Sequence, residues 1–229
     1  RHNDERRILR LIAPRKRKRI WLALTADEGV ERDLLSARRA ALHLSREILA
    51  PDEDIRAQLL GTLLNDLGAA TAFIYAFRDR EKVLDLFDLI CGARMSTSYI
   101  RLGGVAYDAT QEFIEKTQAF LDYVPEMLDE YDRLITGNEI FYARMKGVSP
   151  MTAEEAKALS LSGANLRATG VAYDIRRVEP YSVYDRLDFE VPVGTQGDDW
   201  DRYEVRLKEI GESAKIIRQA LQEMPEGSC

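Results

Sequence analysis

Apolar side chains recur at three- and four-residue spacing over most of this chain. No other feature limits its fold so strongly, because only an α-helix collects such positions on one face. The longest such stretch runs from Ala109 to Ile135, with Phe113, Ile114, Phe120, Leu121, Val124, Met127, Leu128, Tyr131 and Leu134 in phase. Pro125 lies inside it, which predicts a kinked helix or two shorter ones. Asp33 to Ala50 predicts a helix stopped by Pro51. Asp52 to Leu67 predicts a second, antiparallel to it, with a stripe of Leu59, Leu60, Leu63, Leu64 and Leu67 and a closing Gly68. Phe77 to Ile90 forms a broad apolar face behind the charged opening Arg78-Asp79-Arg80-Glu81. Thr152 and Glu155 have the spacing of a capping box and predict a short helix from Ala153 to Leu161. Trp200 to Met224 closes the chain with another helix. Two stretches break the period. Arg94 to Val105 ends in Gly103-Gly104 and reads as a turn, and Ser162 to Asp201 is rich in Gly, Pro, Tyr and Asp. Within the latter, Leu187 to Val193 alternates as a strand does. The expected fold is mainly α with a small irregular β portion.

With 229 residues, 45% of them hydrophobic, the chain suits one globular domain or at most two. Disordered, collagen-like and coiled-coil-only architectures are excluded on composition. No apolar run approaches the ~18 residues of a membrane span. The longest, Gly68 to Phe77, is short and carries Thr and Tyr, so a soluble or peripheral protein is expected. Charge is uneven. Residues 1–20 carry nine Lys or Arg against Asp4 and Glu5, a balance of +7, so a chain at −6 overall has −13 in residues 21–229. The basic arm reads first as solvated, and second as a contact for an anionic surface or partner. A first residue other than Met predicts a processed or incomplete amino terminus, and no apolar segment follows the charges as a secretory signal requires. Two cysteines, Cys91 and Cys229, and two histidines, His2 and His43, form no CxxC pair or His/Cys cluster. That pattern gives no support to a zinc site, a self-ligated iron–sulfur cluster or a nickel centre, and fits a reducing compartment.

Several segments, in order, carry a resemblance: Leu64-Asn65-Asp66-Leu67-Gly68-Ala69, Tyr75-Ala76-Phe77-Arg78-Asp79-Arg80-Glu81, Gly92-Ala93-Arg94-Met95, Tyr99-Ile100-Arg101-Leu102-Gly103-Gly104-Val105, Leu166-Arg167-Ala168-Thr169-Gly170-Val171, Pro180-Tyr181-Ser182-Val183-Tyr184-Asp185 and Phe189-Glu190-Val191-Pro192-Val193-Gly194. Tyr173-Asp174-Ile175-Arg176-Arg177 and Gly197-Asp198-Asp199-Trp200-Asp201-Arg202-Tyr203 belong to the same set. Through them, residues 62–227 resemble the quinone-site subunit of the proton-pumping NADH:quinone oxidoreductase, respiratory complex I, a relative of the nickel–iron hydrogenase large subunit. The resemblance implies an incomplete hydrogenase-large-subunit-like helical core at 61–229, preceded by a basic, helical region at 1–60 that matches poorly. It implies a peripheral-arm subunit that contributes to the quinone site. Electrons would pass from NADH through iron–sulfur clusters to quinone, coupled to proton translocation. Other complex I subunits are the implied partners, above all the iron–sulfur subunit beside the quinone site. No cofactor is implied on this chain itself: quinone is substrate, the cluster is a neighbour's, and NADH is oxidised on another subunit. No nucleic acid is implied, and the membrane is met only through the complex. The implied location is the cytoplasmic face of a bacterial inner membrane or the matrix face of a mitochondrial one. The isolated chain is expected to be inactive and poorly soluble.

The resemblance also assigns single residues. Asp66 matches the family acid that takes part in a proton relay beneath the quinone, and is the one catalytic candidate. The structural alternative is a solvated Asp at a helix end. Leu9-Arg10-Leu11 has the spacing of the family's opening segment, but Arg6 stands where its second His would be, and no Tyr precedes Tyr75. The expectation is therefore a truncated or degraded member, with a non-catalytic remnant or an assembly module as the alternative. Arg94 and Arg101 are expected to pair structurally with carboxylates. Arg167, Asp174, Arg176, Arg177, Asp185, Asp198, Asp201 and Arg202 are expected to form an ion-pair network around the glycine-rich turns. Gly103-Gly104 is not a phosphate loop, since neither a GxGxxG spacing nor a P-loop Lys follows. His43 is expected in the core or facing a partner, and Cys91 as a small buried apolar residue.

Overall fold

The computed structural model describes residues 51–95, 98–101, 104–181 and 183–224. The expected helix at 33–50, His43, the basic arm and Cys229 lie outside them. Helix α1 (Pro51–Asp66) is the first element of the described residues. Gly68, at φ +86°, turns the chain, and α2 (Ala70–Cys91) returns along α1. Helix α2 starts seven residues before the expected Phe77, because Ala70 to Ala76 continues the apolar face: Ala72 and Ala76 pack with Leu60 and Leu64. A two-residue antiparallel ladder follows, β1 (Ile100–Arg101) on β2 (Gly104–Val105), at the expected turn.

Helix α3 (Gln111–Tyr131) is capped by Thr110, whose side chain accepts the Phe113 N–H at 3.2 Å. Of the two expected outcomes at Pro125, a kinked helix or two shorter ones, the division does not occur: one helix runs through the proline. The proline cannot supply the amide that would bond the Leu121 carbonyl. Arg218, from the last helix, donates to that carbonyl instead, at 3.0 Å. The period changes further on, in a π-helical turn at Asp132–Thr136. Helix α4 (Glu139–Met145), which periodicity did not mark, follows its cap Asn138, whose Oδ1 accepts from Ile140 and Phe141. Helix α5 (Ala153–Ala158) opens on the expected capping box and ends before Ser160, which is left-handed at φ 54°. Two short helices, α6 (Gly163–Ala168) and α7 (Ile175–Val178), lead to α8 (Asp199–Gln222), which packs along α3 and α6.

One core joins Leu64, Phe87, Phe113, Leu121, Tyr131, Phe141 and Ile217 from α1 to α4 and α8. A satellite of Val183, Tyr184, Leu187, Phe189 and Ile216 sits beside it. The expected strand at 187–193 is the segment that builds this satellite. Its alternation holds over the first four positions, with Leu187 and Phe189 buried and Asp188 and Glu190 exposed, and lapses at exposed Val193; the segment joins no ladder among the described residues. Its backbone is paired by side chains of α8. The Asp188 N–H donates to Gln219 Oε1 at 2.7 Å, Gln219 Nε2 donates to the Asp188 carbonyl at 2.6 Å, and the Glu190 N–H donates to Glu212 at 2.8 Å. A helix face has taken the place of a neighbouring strand.

Candidate functional site

Asp66 is the last residue of α1 and its side chain is exposed. Its surroundings follow from how the helix ends. The Gly68 N–H reaches back to the Asn65 carbonyl at 2.9 Å and the Ala69 N–H to the Leu64 carbonyl at 2.8 Å, closing the last turn. The next carbonyl, of Leu67, accepts from Arg144 Nη1 at 2.9 Å across 77 residues of sequence. Arg144 stands on α4, whose opposite face is fixed in the core by Phe141 and Met145, 5% and 3% exposed. Ile140, one turn before Arg144 on the same face, is 70% exposed, and Ile74 on the second turn of α2 is 65% exposed. The end of α1 is thus tied to α4 through Arg144, and α4 and α2 each carry an apolar side chain open to solvent.

The far end of α4 is anchored by a second node. Asp198 is fully buried and caps α8, accepting the Asp201 N–H at 2.9 Å and the Gly147 N–H at 2.8 Å. Lys146 Nζ lies 3.5 Å from both Asp198 and Asp201. Asp201 Oδ2 accepts from the amides of Gln196, Thr195 and Gly197 at 2.6, 2.7 and 3.3 Å. Burial pushes its carboxyl up, but those amides and the Lys146 cation outweigh burial and hold it below the usual carboxylate range. The loop needs its glycines: a Cβ on Gly194 would stand 2.4 Å from the Ala168 carbonyl oxygen, and one on Gly197, at φ +67°, 2.2 Å from that of Met151. Arg202 closes the node, donating to the carbonyls of Ser149 and Gly197 at 2.8 and 2.7 Å and pairing with Asp199.

Several of the other residues expected in ion pairs also make them. Buried Arg167 donates to Glu209 at 2.6 Å and to the Tyr173 carbonyl at 3.0 Å. Arg176 pairs with Asp174 at 2.7 Å. Burial works against that carboxylate's charge, and Arg176 prevails, holding the carboxyl below its ordinary value. Arg94 pairs with Asp85 at 2.6 Å and with Glu81. Asp185 is exposed. The Arg101 side chain lies outside what is described. Cys91 is half-buried rather than buried, because it sits at the solvent edge of α2, with Sγ 2.9 Å from the Phe87 carbonyl oxygen.

Sequence reasoning missed a third node. Asp79, within the charged opening to which no role was assigned, is 3% exposed and joins α2 to α3. It accepts the Tyr123 and Tyr131 hydroxyls at 2.8 Å each, and Arg78 Nε at 2.9 Å. Arg78 also reaches Glu130 at 2.5 Å. Burial first, then the bond to Asp79, pushes the Tyr123 phenol up to about 12. Helical phase held the signal, since Asp79 lies with Ala76, Val83 and Phe87 on the buried side.

Among the described residues no group of three or more His, Cys, Asp or Glu stands where it could hold a metal ion, and no helix is long and apolar enough to cross a membrane. A mainly helical scaffold, with its buried ions committed to its own elements and Asp66 exposed at the end of a helix, is the class these features define. The particular family is plain from comparison: the chain belongs to the 49 kDa subunit family of the respiratory-chain NADH dehydrogenase, whose family model matches residues 66–229. Similar proteins include the D subunit of the NADH-quinone oxidoreductase of Desulforamulus reducens, 56% identical over 167 residues, 73% of this chain and 46% of that protein. Those of Bacillus mycoides and Bacillus anthracis are 55% and 54% identical over 165 residues, 72% of this chain and 45% of each relative. The chain therefore spans under half the length of the curated relatives it matches.

Proposed function

We propose that this chain serves in the peripheral arm of an NADH:quinone oxidoreductase, as a scaffold that contributes one wall of the quinone site. The observation that carries the reading is the identity of 56% to a relative named as the D subunit of NADH-quinone oxidoreductase, over a stretch that includes Asp66. Reduction of a quinone to its quinol takes two electrons and two protons. The electrons arrive from an iron–sulfur cluster in a neighbouring subunit, itself fed by NADH oxidation elsewhere in the complex. Asp66 gives one of the protons and regains it from solvent, the step that joins quinone reduction to proton translocation. Covering a carboxylate with apolar surface favours its neutral, proton-carrying form, which a donor to a reduced quinone needs. Exposed Ile140 and Ile74 offer apolar surface on which other subunits can dock. The complex places the chain at the cytoplasmic face of a bacterial inner membrane, or its mitochondrial equivalent, and the chain alone is inactive.

A second reading, a non-catalytic remnant or assembly module, is favoured by one observation: the family match starts at residue 66, leaving the basic region outside it. A photoreactive quinone analogue tests the two on the assembled complex. Labelling of this chain that excess quinone suppresses supports the first reading. A complex that turns over quinone without labelling it supports the second.

A further inference from the structure

The geometry points to Arg144 as a positioning residue for proton transfer at Asp66, an inference that rests on the reading of Asp66 just given. Helix α4 is a strut between two nodes. At its carboxyl end Lys146 reaches Asp198 and Asp201, and the Gly147 amide donates to Asp198 at 2.8 Å. On its inner face Phe141 packs edge-on against Tyr203, ring centres 4.9 Å apart. The Tyr203 hydroxyl is in turn within 2.9 Å of Thr136 Oγ1. These contacts fix the strut before Arg144 is considered.

From that fixed base the Arg144 guanidinium extends to the Leu67 carbonyl, the first acceptor beyond Asp66. The bond crosses from α4 to a helix end whose other hydrogen bonds among the described residues are those of its own turn through Gly68. It also places a cation at a helix carboxyl terminus, where the aligned carbonyls favour it. A carboxylate that must meet a reacting atom gains rate from being held in place, and an error of about 1 Å can cost about a hundredfold. Arg144 touches the backbone next to Asp66 and not a substrate, so its effect falls on placement. Arg presents several donors in one plane, and Nη1 is the one that holds the turn at the Leu67 carbonyl.

The test uses the assembled complex carrying Arg144→Gln or Arg144→Lys, beside Asp66→Asn. Arg144→Met, which keeps the aliphatic stem, stands in if the Gln variant does not assemble. Assembly is checked by co-purification of the other subunits with the variant chain, and NADH oxidation with ferricyanide, which bypasses the quinone site, controls for electron input. The expected result is a kcat for quinone reduction lowered about tenfold in Arg144→Gln with KM for quinone unchanged, and largely restored in Arg144→Lys. Full kcat in Arg144→Gln, or a raised KM at full kcat, with Asp66→Asn impaired, overturns the role of Arg144 alone. Full kcat in Asp66→Asn overturns the reading on which it rests.

Discussion

Replacing Arg218 by Ala strips the Leu121 carbonyl of the donor that stands in for the amide Pro125 lacks, 3.0 Å away. A hydrogen bond from a charged donor contributes about 1.5–3 kcal/mol when well shielded. Arg218 is 41% exposed, so water takes over part of the role and the cost of Arg218→Ala falls to about 1–2 kcal/mol. The neighbouring pair with Asp122, at 3.7 Å and 71% exposed on the acid, adds at most a few tenths. Pro125→Ala supplies an amide to Leu121 within α3 and relieves the ring, a gain of up to about 3 kcal/mol. In that background the guanidinium is redundant, and Arg218→Ala costs under about 0.5 kcal/mol. Urea denaturation of the four proteins reads the coupling directly, with an expected interaction energy of about 1 kcal/mol. Costs that add within about 0.3 kcal/mol would refute the substitution of side chain for amide.

Three further outcomes follow from the buried nodes. Asp79→Leu leaves two tyrosine hydroxyls and a guanidinium without their shared acceptor and should cost about 3–5 kcal/mol in the same assay, far more than Asp85→Leu on the exposed side of α2. Gly197→Ala, with a Cβ 2.2 Å from the Met151 carbonyl oxygen, should lower the midpoint strongly, whereas Gly147→Ala, left-handed at φ +73° with open space around it, should cost only about 1 kcal/mol. Asp201 and Asp174 are held below their ordinary range, so their contribution is fully present above about pH 4 and is lost as acid protonates them. Stability should therefore fall below about pH 4, less steeply in Asp201→Asn; an unchanged slope in that variant would count against the amide nest as its source.

What could be read from the sequence was whatever a single helix face or cap dictates. The capping box at Thr152 and Glu155 and the stripe of α1 needed nothing beyond their own neighbours. Pairing with distant partners was not legible. Leu187 to Glu190 alternates correctly, yet what bonds its backbone is Gln219 and Glu212 on a helix, which no period-two pattern encodes. Pro125 reads as a break because the rescuing Arg218 is 97 residues from the carbonyl it serves. Helix α4 is too short for periodicity, and its two buried positions, Phe141 and Met145, make a pattern only once Asn138 is seen as a cap. Among candidate site residues, Asp66 is offered by resemblance alone, and Asp79 was missed, since a charge between two arginines looks solvated until the helix phase turns it inward.

The proton-donor role proposed for this chain stands or falls on Asp66→Asn in the assembled NADH:quinone oxidoreductase, because the substitution keeps shape and removes the transferable proton. Loss of a positioned proton donor costs about 10²- to 10⁴-fold in rate. Quinone reduction and proton pumping should fall together by about a hundredfold or more, with NADH oxidation by ferricyanide unchanged. Quinone reduction and pumping at the rates of the unsubstituted complex would contradict that role.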